Sequence, residues 1–502
     1  MIRSFFKYSS AVFLILFFSC SSKQVQKPNI VIIYADDLGI GDVSCYQMGQ
    51  LRTPGMDRIA NEGIRFENGY ATSATCTPSR FAMLTGQYPW RNKGARVLAG
   101  DARSLIDTSM FTLPGMLQEA GYRTAVIGKW HLGLGQGQID WNQPITLGPN
   151  QIGFDYSYIM AATNDRTPTV FVKNGEVVGL DPNDPLEVNY RENYPGEPTG
   201  KENPELLKMH PTYHHHQSIN NGISRIGFMR GGKSARWVDE NMADTLLEES
   251  LRFIEDNKEQ PFFLYYALHQ PHVPRVPNPR FAGKSGMGPR GDVILEADWC
   301  VDQLLNKLEE LNLLENTLIV FSSDNGPVLD DGYEDDAVEK LGDHTPWGVF
   351  RGGKYSLLDA GTHVPFMVMW KGHIQPGVSD ALISQVDLMA SLGDLVEQST
   401  PINDSENRLK VLTGECTEGR EYLLFEGLQK RIGIRTREWV FLPSYQGPER
   451  ITWGGNVESG CSKEPQLYRI SEDKGQKQNL YTQFPKIADE LKMKMEQVNK
   501  SN

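Results

Sequence analysis

Three shortages narrow what this chain can be. The first is of apolar length: the N-terminal run Ala11-Val12-Phe13-Leu14-Ile15-Leu16-Phe17-Phe18 falls far below the roughly 20 residues needed to cross a bilayer, which excludes a spanning helix there. With Arg3 and Lys7 ahead of it, the run fits a signal peptide over residues 1–19. The second is of positive charge. Against 63 acidic side chains there are 50 basic ones, and the net charge of −13 makes the chain a poor partner for nucleic acid or for anionic lipid. Any site that handles a polyanion must therefore be basic locally. The third is of repetition: no internal repeat and no long low-complexity tract is present, which argues against a solenoid or array. Cysteine is also scarce, at 6 in 502 residues. Setting aside Cys20 and Cys76, the remaining Cys45, Cys300, Cys416 and Cys461 allow three pairings in an exported protein. Cys416 with Cys461 is the expected bridge, since both lie in the C-terminal region; four free thiols are the alternative.

What is present is a set of apolar strands that end in polar groups. Asn29-Ile30-Val31-Ile32-Ile33-Tyr34-Ala35 runs into Asp36-Asp37, and Leu318-Ile319-Val320-Phe321-Ser322-Ser323 runs into Asp324-Asn325. Continuous apolar runs of this length predict parallel strands buried on both faces, and ligands in such sheets gather beyond the carboxyl ends. Side by side, the two strands would bring Asp36, Asp37, Asp324 and Asn325 to one point. Oxygen donors without cysteine or histidine suit a hard cation, calcium rather than zinc. A third strand, Thr124 to Gly128, leads into Lys129-Trp130-His131, and in extended chain Lys129 and His131 would share a side. A fourth, Phe262 to Leu268, leads into His269-Gln270-Pro271-His272. Elsewhere, Cys76-Thr77-Pro78-Ser79-Arg80 places a proline where only the first turn of a helix tolerates one, so Cys76 sits just ahead of a helix N-terminus that favours an anion. Arg80, one turn on, can point back toward the same place. A buried cysteine in a core helix is the other reading of this stretch.

Cys76-Thr77-Pro78-Ser79-Arg80, continued to Thr85-Gly86, resembles the signature of the type I sulfatases, members of the alkaline-phosphatase-like superfamily. The resemblance extends to Gly128-Lys129-Trp130-His131-Leu132-Gly133, to Ser323-Asp324-Asn325-Gly326 and to Arg351-Gly352-Gly353-Lys354, and it covers nearly all of the mature chain. It implies an α/β fold with a large, mostly parallel central sheet flanked by helices, over 28–400, and a smaller C-terminal antiparallel sheet plus helix, over 401–502. It implies that Cys76 is oxidised by a formylglycine-installing maturation enzyme to an aldehyde whose hydrate is the nucleophile. It further implies one Ca²⁺ per chain, held by Asp36, Asp37, Asp324, Asn325 and an oxygen at position 76. Lys129 and Lys354 would grip sulfate, His131 would orient the hydrate, and His272 would contact the bridging oxygen of the ester. One stretch departs from the family. Where many relatives have Glu-Gly-Gly-x-Arg-x-Pro, this chain has Asp359-Ala360-Gly361-Thr362-His363-Val364-Pro365, a position expected to be structural or peripheral.

Between about 160 and 240 the landmarks thin out. Asp165, Arg166 and His215, joined by Asp343 and His344, are the residues expected to line a sugar pocket; three consecutive histidines at 214–216 cannot all face one ion and predict a loop. Past residue 400, alternating short strands from Arg420 to Leu442 and at Gln466–Ile470 precede a helical pattern from Pro485 to Val498. At the other end, Phe17-Phe18-Ser19-Cys20 resembles a bacterial lipobox, which implies lipidation of Cys20, a short tether over 20–27, and a protein anchored in a bacterial cell envelope, at the outer membrane. The expected activity is hydrolysis of sulfate esters on a polysaccharide, algal (ulvan, carrageenan) or animal (glycosaminoglycan, mucin). The rivals are a phosphonate or phosphate ester hydrolase on the same scaffold and a noncatalytic glycan-binding lipoprotein.

Overall fold

The structure, a computed structural model, describes residues 27–500. The signal peptide, Cys20 and nearly all of the tether lie outside these residues. No helix among the described residues is long and apolar enough to cross a membrane.

Ten strands form one sheet: β1 (Asn29–Ala35), β2 (Ile64–Tyr70), β3 (Arg123–Lys129), β4 (Tyr156–Met160), β5 (Phe171–Lys173), β6 (Glu176–Val177), β7 (Phe262–Ala267), β8 (Thr317–Ser323), β9 (Phe366–Met369) and β10 (Gly377–Ser384). Their spatial order is β10-β2-β9-β8-β1-β7-β3-β4-β5-β6. The central run β8-β1-β7-β3-β4 is parallel throughout, and antiparallel pairings appear only outside it.

Strand β1 shows why the centre is covered on both sides. Its alternate residues Ile30, Ile32 and Tyr34 belong to one hydrophobic cluster, and Val31, Ile33 and Ala35 to another. The two-residue period of a strand thus feeds two cores. Helices α1 (Pro54–Asn61), α2 (Met242–Asp256) and α3 (Gly288–Glu310) close the second through Met56, Leu246, Leu247 and Leu304. On the opposite face lies α4 (Cys76–Thr85), whose residues are all buried and whose Phe81, Met83 and Leu84 enter the first core.

The C-terminal region adds a four-stranded antiparallel sheet: β11 (Tyr422–Gly427), β12 (Arg431–Thr436), β13 (Trp439–Leu442) and β14 (Gln466–Arg469). One face carries Leu423, Phe425 and Val440 against Tyr70, Leu357 and Leu382 of the main body. The other takes the C-terminal helix α5 (Pro485–Lys500) through Ala488 and Leu491. The departure at 359–365 lies on this seam. Buried Asp359 accepts hydrogen bonds from Arg435 of β12 (2.9 Å) and from Tyr70 (3.0 Å), and its carboxylate lies 3.0 Å from His363 Nδ1. Asp359 therefore ties the small sheet to the main one.

The expected Cys416–Cys461 bridge is not formed, and all five described cysteines are free thiols. Cys416 packs beside the first core of the main sheet, whereas Cys461 lies in the small-sheet region near Gly447. Shared position in sequence did not bring the two together.

Candidate active site

The carboxyl ends of the central strands converge as their pairing requires. Ala35 of β1 is in register with Ser323 of β8, so Asp36 and Asp324 are the next residues on neighbouring strands. The Asp324 N–H donates to Ala35 O (3.1 Å). The chain then turns sharply: Asp37 has φ +65°, a left-handed conformation that aspartate tolerates better than most residues, and its N–H donates to Asp324 Oδ1 (3.3 Å). Asn325 Nδ2 donates to Asp37 Oδ1 (2.7 Å).

Three cations hold these acids. Arg80 donates through Nε to Asp324 Oδ2 (2.9 Å) and through one terminal nitrogen to Lys129 O (3.2 Å) and Tyr265 Oη (3.0 Å). Lys129 Nζ donates to Asp36 Oδ2 (2.5 Å), and Lys354 Nζ is shared between Asp37 (2.7 Å) and Asp331 (2.7 Å). All of these side chains are buried. Burial pushes the Asp36 and Asp37 carboxyls above the usual carboxylate range despite their lysines. Burial also works against ionised Asp324, but Arg80 and Lys129 win and hold it below that range.

Cys76 is the first residue of α4 itself, with Thr75 at the N-cap position, one residue further into the helix than the sequence pattern placed it. Its Sγ lies 3.2 Å from His131 Nδ1. The other ring nitrogen, Nε2, lies 2.9 Å from the Leu98 carbonyl, which can only accept. Nε2 therefore carries the hydrogen, and the Nδ1 lone pair faces residue 76. Burial, with Lys129 nearby, drives the His131 pKa well below its ordinary value and keeps the ring neutral. The extended geometry expected for Lys129 and His131 is not what brings both to the site. Strand β3 ends at Lys129, and His131 adopts φ +52°. The preceding Gly128 has φ +114°, and a Cβ there would meet Ala267 O of β7 at 1.9 Å, so only glycine allows the strand end to approach its neighbour.

A cavity of about 190 Å³ opens in front of Cys76. It is lined by Asp165, Arg166, His215, His272 and Lys354, together with Asp331, Tyr355 and Trp453. His272 Nδ1 lies 2.7 Å from the Val273 carbonyl, leaving Nε2 directed inward, 3.9 Å from Asp37 Oδ2. Arg166 and His215 both contact Asp165, at 2.8 and 2.9 Å, and its carboxyl lies well below the usual range: burial opposes ionisation, but Arg166 and His215 together outweigh it.

Asp343 and His344 do not belong to this wall. Asp343 is exposed, and buried His344 has its Nε2 2.8 Å from Asp42 Oδ1, beside Arg290. A carboxylate some 300 residues away in sequence claims the imidazole. Conversely, Asp331, Tyr355 and Trp453 carried no sequence signal. Tyr355 follows Lys354 directly, and its ring centroid lies 5.1 Å from that of Trp453, which remains 44% exposed at the cavity mouth.

A buried cysteine at a helix N-terminus, faced by a neutral imidazole and by lysine-bound carboxylates at parallel strand ends, is an arrangement that fits an anionic-ester hydrolase of the alkaline-phosphatase-like kind. The profile of the family described as Sulfatase matches residues 28–398, and the chain belongs to that family, whose members hydrolyse sulfuric esters. It is 50% identical over 477 residues to the N-acetylgalactosamine-6-O-sulfatase of Bacteroides thetaiotaomicron, covering 94% of this chain and 93% of that protein. It is 30% identical to human arylsulfatase A, covering 90% and 83%. A solved structure described in connection with the metabolism of multiple glycosaminoglycans by B. thetaiotaomicron superposes with a TM-score of 0.93 at 49% identity, covering 94% of this chain and 99% of the other.

Proposed function

We propose that this sulfatase removes the 6-O-sulfate from N-acetylgalactosamine units of a glycosaminoglycan-type glycan. The observation that carries the reading is the 50% identity, over nearly the whole of both chains, to an N-acetylgalactosamine-6-O-sulfatase. This favours an animal glycan over the algal polymers.

The residues fit a divalent cation. Asp36 Oδ1 and Asn325 Oδ1 are buried and find no hydrogen-bond partner, and Asp36, Asp37 and His272 each offer a ligand atom within 4.8 Å of the others. Oxygen donors dominate, which suits calcium, with Asp36, Asp37, Asp324 and Asn325 as its holders. When bound, calcium would offset negative charge on the ester, and formylglycine at position 76 would supply the nucleophile. The remaining roles fall to side chains. His131 Nδ1 accepts a hydrogen bond from the group at 76 and orients it. Lys354, raised well above the ordinary lysine range because Asp331 and Asp37 outweigh its burial, keeps its charge and with Lys129 offsets that of sulfate. His272 is held deprotonated by burial and the two lysines, so the anionic ester is what favours the proton that Nε2 then delivers to the leaving sugar oxygen.

The test is sulfate release from GalNAc-6-sulfate, GalNAc-4-sulfate and carrageenan oligosaccharides by protein coexpressed with a formylglycine-installing enzyme, with Cys76→Ala as control. Release from the 6-sulfate, absent in the control, is expected. Release only from another sugar would discard the substrate, and release by Cys76→Ala would discard the nucleophile. The proposal extends to an envelope location through lipidated Cys20, for which incorporation of labelled palmitate lost in Cys20→Ala is the check.

A further inference from the structure

A second and larger cavity, about 480 Å³, lies beside the one at Cys76. Three separate segments pass from one cavity wall to the other within a few residues. Asp330 lines the large cavity and Asp331 the small one. Arg351 and Gly352 line the large one, Lys354 and Tyr355 the small. Thr452 and Gly455 line the large one, and Trp453 between them the small. Consecutive Cα atoms are about 3.8 Å apart, so the two spaces share a wall little thicker than the chain itself. Much of that wall is the hairpin whose strands Arg450–Ile451 and Val457–Glu458 pair in register. Its tip is pressed onto the 328–330 loop: Gly455 has φ +70°, and a Cβ there would meet Asp330 O at 2.7 Å.

The chemistry of the large cavity is amphipathic. Trp347 and Phe350 supply aromatic surface, and Val338, 54% exposed, adds an apolar edge. Across from them, Arg351 and Arg450 share one carboxylate. Arg351 Nε donates to Glu458 Oε2 at 2.6 Å, whereas Arg450 reaches Glu458 only at 3.7 Å and instead donates through Nε to Asn456 Oδ1 (2.9 Å). Asp330 lines the same cavity, where its Oδ1 accepts from Gly332 N (3.2 Å) and Thr212 Oγ1 (3.4 Å) rather than from an arginine. Arg450, bonded to the side chain and backbone of Asn456 and no nearer than 3.7 Å to Glu458, is the guanidinium placed to meet an incoming anion, next to rings suited to the apolar face of a sugar.

Resting on the substrate reading above, we propose that this cavity is a second glycan subsite, which takes an anionic pyranose unit of the same oligosaccharide whose sulfated unit reaches Cys76. Arg450 would meet its carboxylate or sulfate, and Trp347 would meet its ring. The hairpin then works as a saddle between two sugar positions.

The experiment is calorimetric binding to the full chain carrying Cys76→Ala, which prevents turnover. The probes are GalNAc-6-sulfate monosaccharide, a chondroitin-6-sulfate tetrasaccharide and a tetrasaccharide with its uronate carboxyls reduced. The intact tetrasaccharide is expected to bind about tenfold or more tightly than the monosaccharide. Arg450→Ala and Trp347→Ala should each erase most of that gain, while monosaccharide affinity, and aryl sulfate turnover in the Cys76 background, stay unchanged. Carboxyl reduction should mimic Arg450→Ala if the anion is the uronate and have no effect if it is a sulfate. Absence of any chain-length gain, or a gain that survives both variants, overturns the subsite. Failure of the monosaccharide to bind, with the chain-length gain and its loss in the variants intact, counts against the substrate reading alone.

Discussion

Arg80 has no solvent to fall back on. Its guanidinium is fully buried and divided among the Asp324 carboxylate, the Lys129 carbonyl and the Tyr265 hydroxyl. Removing it leaves Asp324 charged in a dry site, because Arg80 is the leading influence holding that carboxyl ionised against burial. Arg80→Ala should therefore destabilise the protein by about 3–5 kcal/mol, the cost typical of breaking a buried pair from one side. Arg80→Lys should recover only part of this, since a single ammonium cannot reproduce the fork. Urea denaturation measures both. A loss below about 1 kcal/mol for the alanine variant would show that the pair is not the brace its geometry suggests.

At the scale of elements, the small C-terminal sheet reaches the loop ahead of Cys76 through β11. Glu426 N–H donates to Thr72 O (2.9 Å), Ala74 N–H donates to Glu426 O (2.7 Å), and Ser73 Oγ donates to the Glu426 carboxyl (3.2 Å), all just ahead of Cys76 in the chain. Burial raises that carboxyl to about 8. A raised folded-state carboxyl penalises the ionised form, so its cost is absent below the unfolded-state value near 4.5 and grows as pH rises to about 8. Glu426→Gln should consequently be more stable than the parent at pH 9, by roughly 2–4 kcal/mol, with little difference at pH 4. Denaturation at both pH values checks this, and a pH-independent difference would contradict it. Through the same strand, chain beyond residue 400 touches the segment just ahead of Cys76.

For the molecule as a whole, three buried carboxylates gathered at the carboxyl edge of the main sheet make folding sensitive to a cation there. A divalent ion that binds the folded state alone would stabilise it by about 2.7 kcal/mol at a hundredfold excess over its Kd. Calcium should raise the Tm, EGTA should reverse the rise, and Asp36→Asn with Asp37→Asn should abolish the response. A Tm indifferent to calcium would mean that the acids are satisfied by Lys129 and Lys354 alone. The contrast between the two pockets is also a property of the whole. Trp453, Thr452 and Arg450 come from beyond the stretch matched by the family profile, which ends at 398, yet they shape the two cavities.

Much of this was legible in the chain because it is local. Apolar runs buried on both faces need no distant information to be recognised as parallel strands, and a polar residue at the end of such a run has only the sheet edge to occupy. Asp36, Asp37, Asp324 and Lys129 follow from that rule, as does Cys76 from the proline two residues on. The helix from Pro485 and the antiparallel strands after 420 were likewise written in their periodicity. Other features depended on which segments meet. His344 had no visible partner in sequence, because Asp42 and Arg290 reach it from different elements. Trp453 and Tyr355 sit in irregular chain whose side-chain directions no period predicts. Cys416 and Cys461 share a region of sequence but not a neighbourhood. The strands, the helix that opens beside Cys76 and the family to which the chain belongs could be read from the chain alone, since each rests on short-range pattern. Which loops wall the pocket and how the buried charges pair came from the three-dimensional packing, because those contacts join residues tens to hundreds of positions apart and no local rule encodes them.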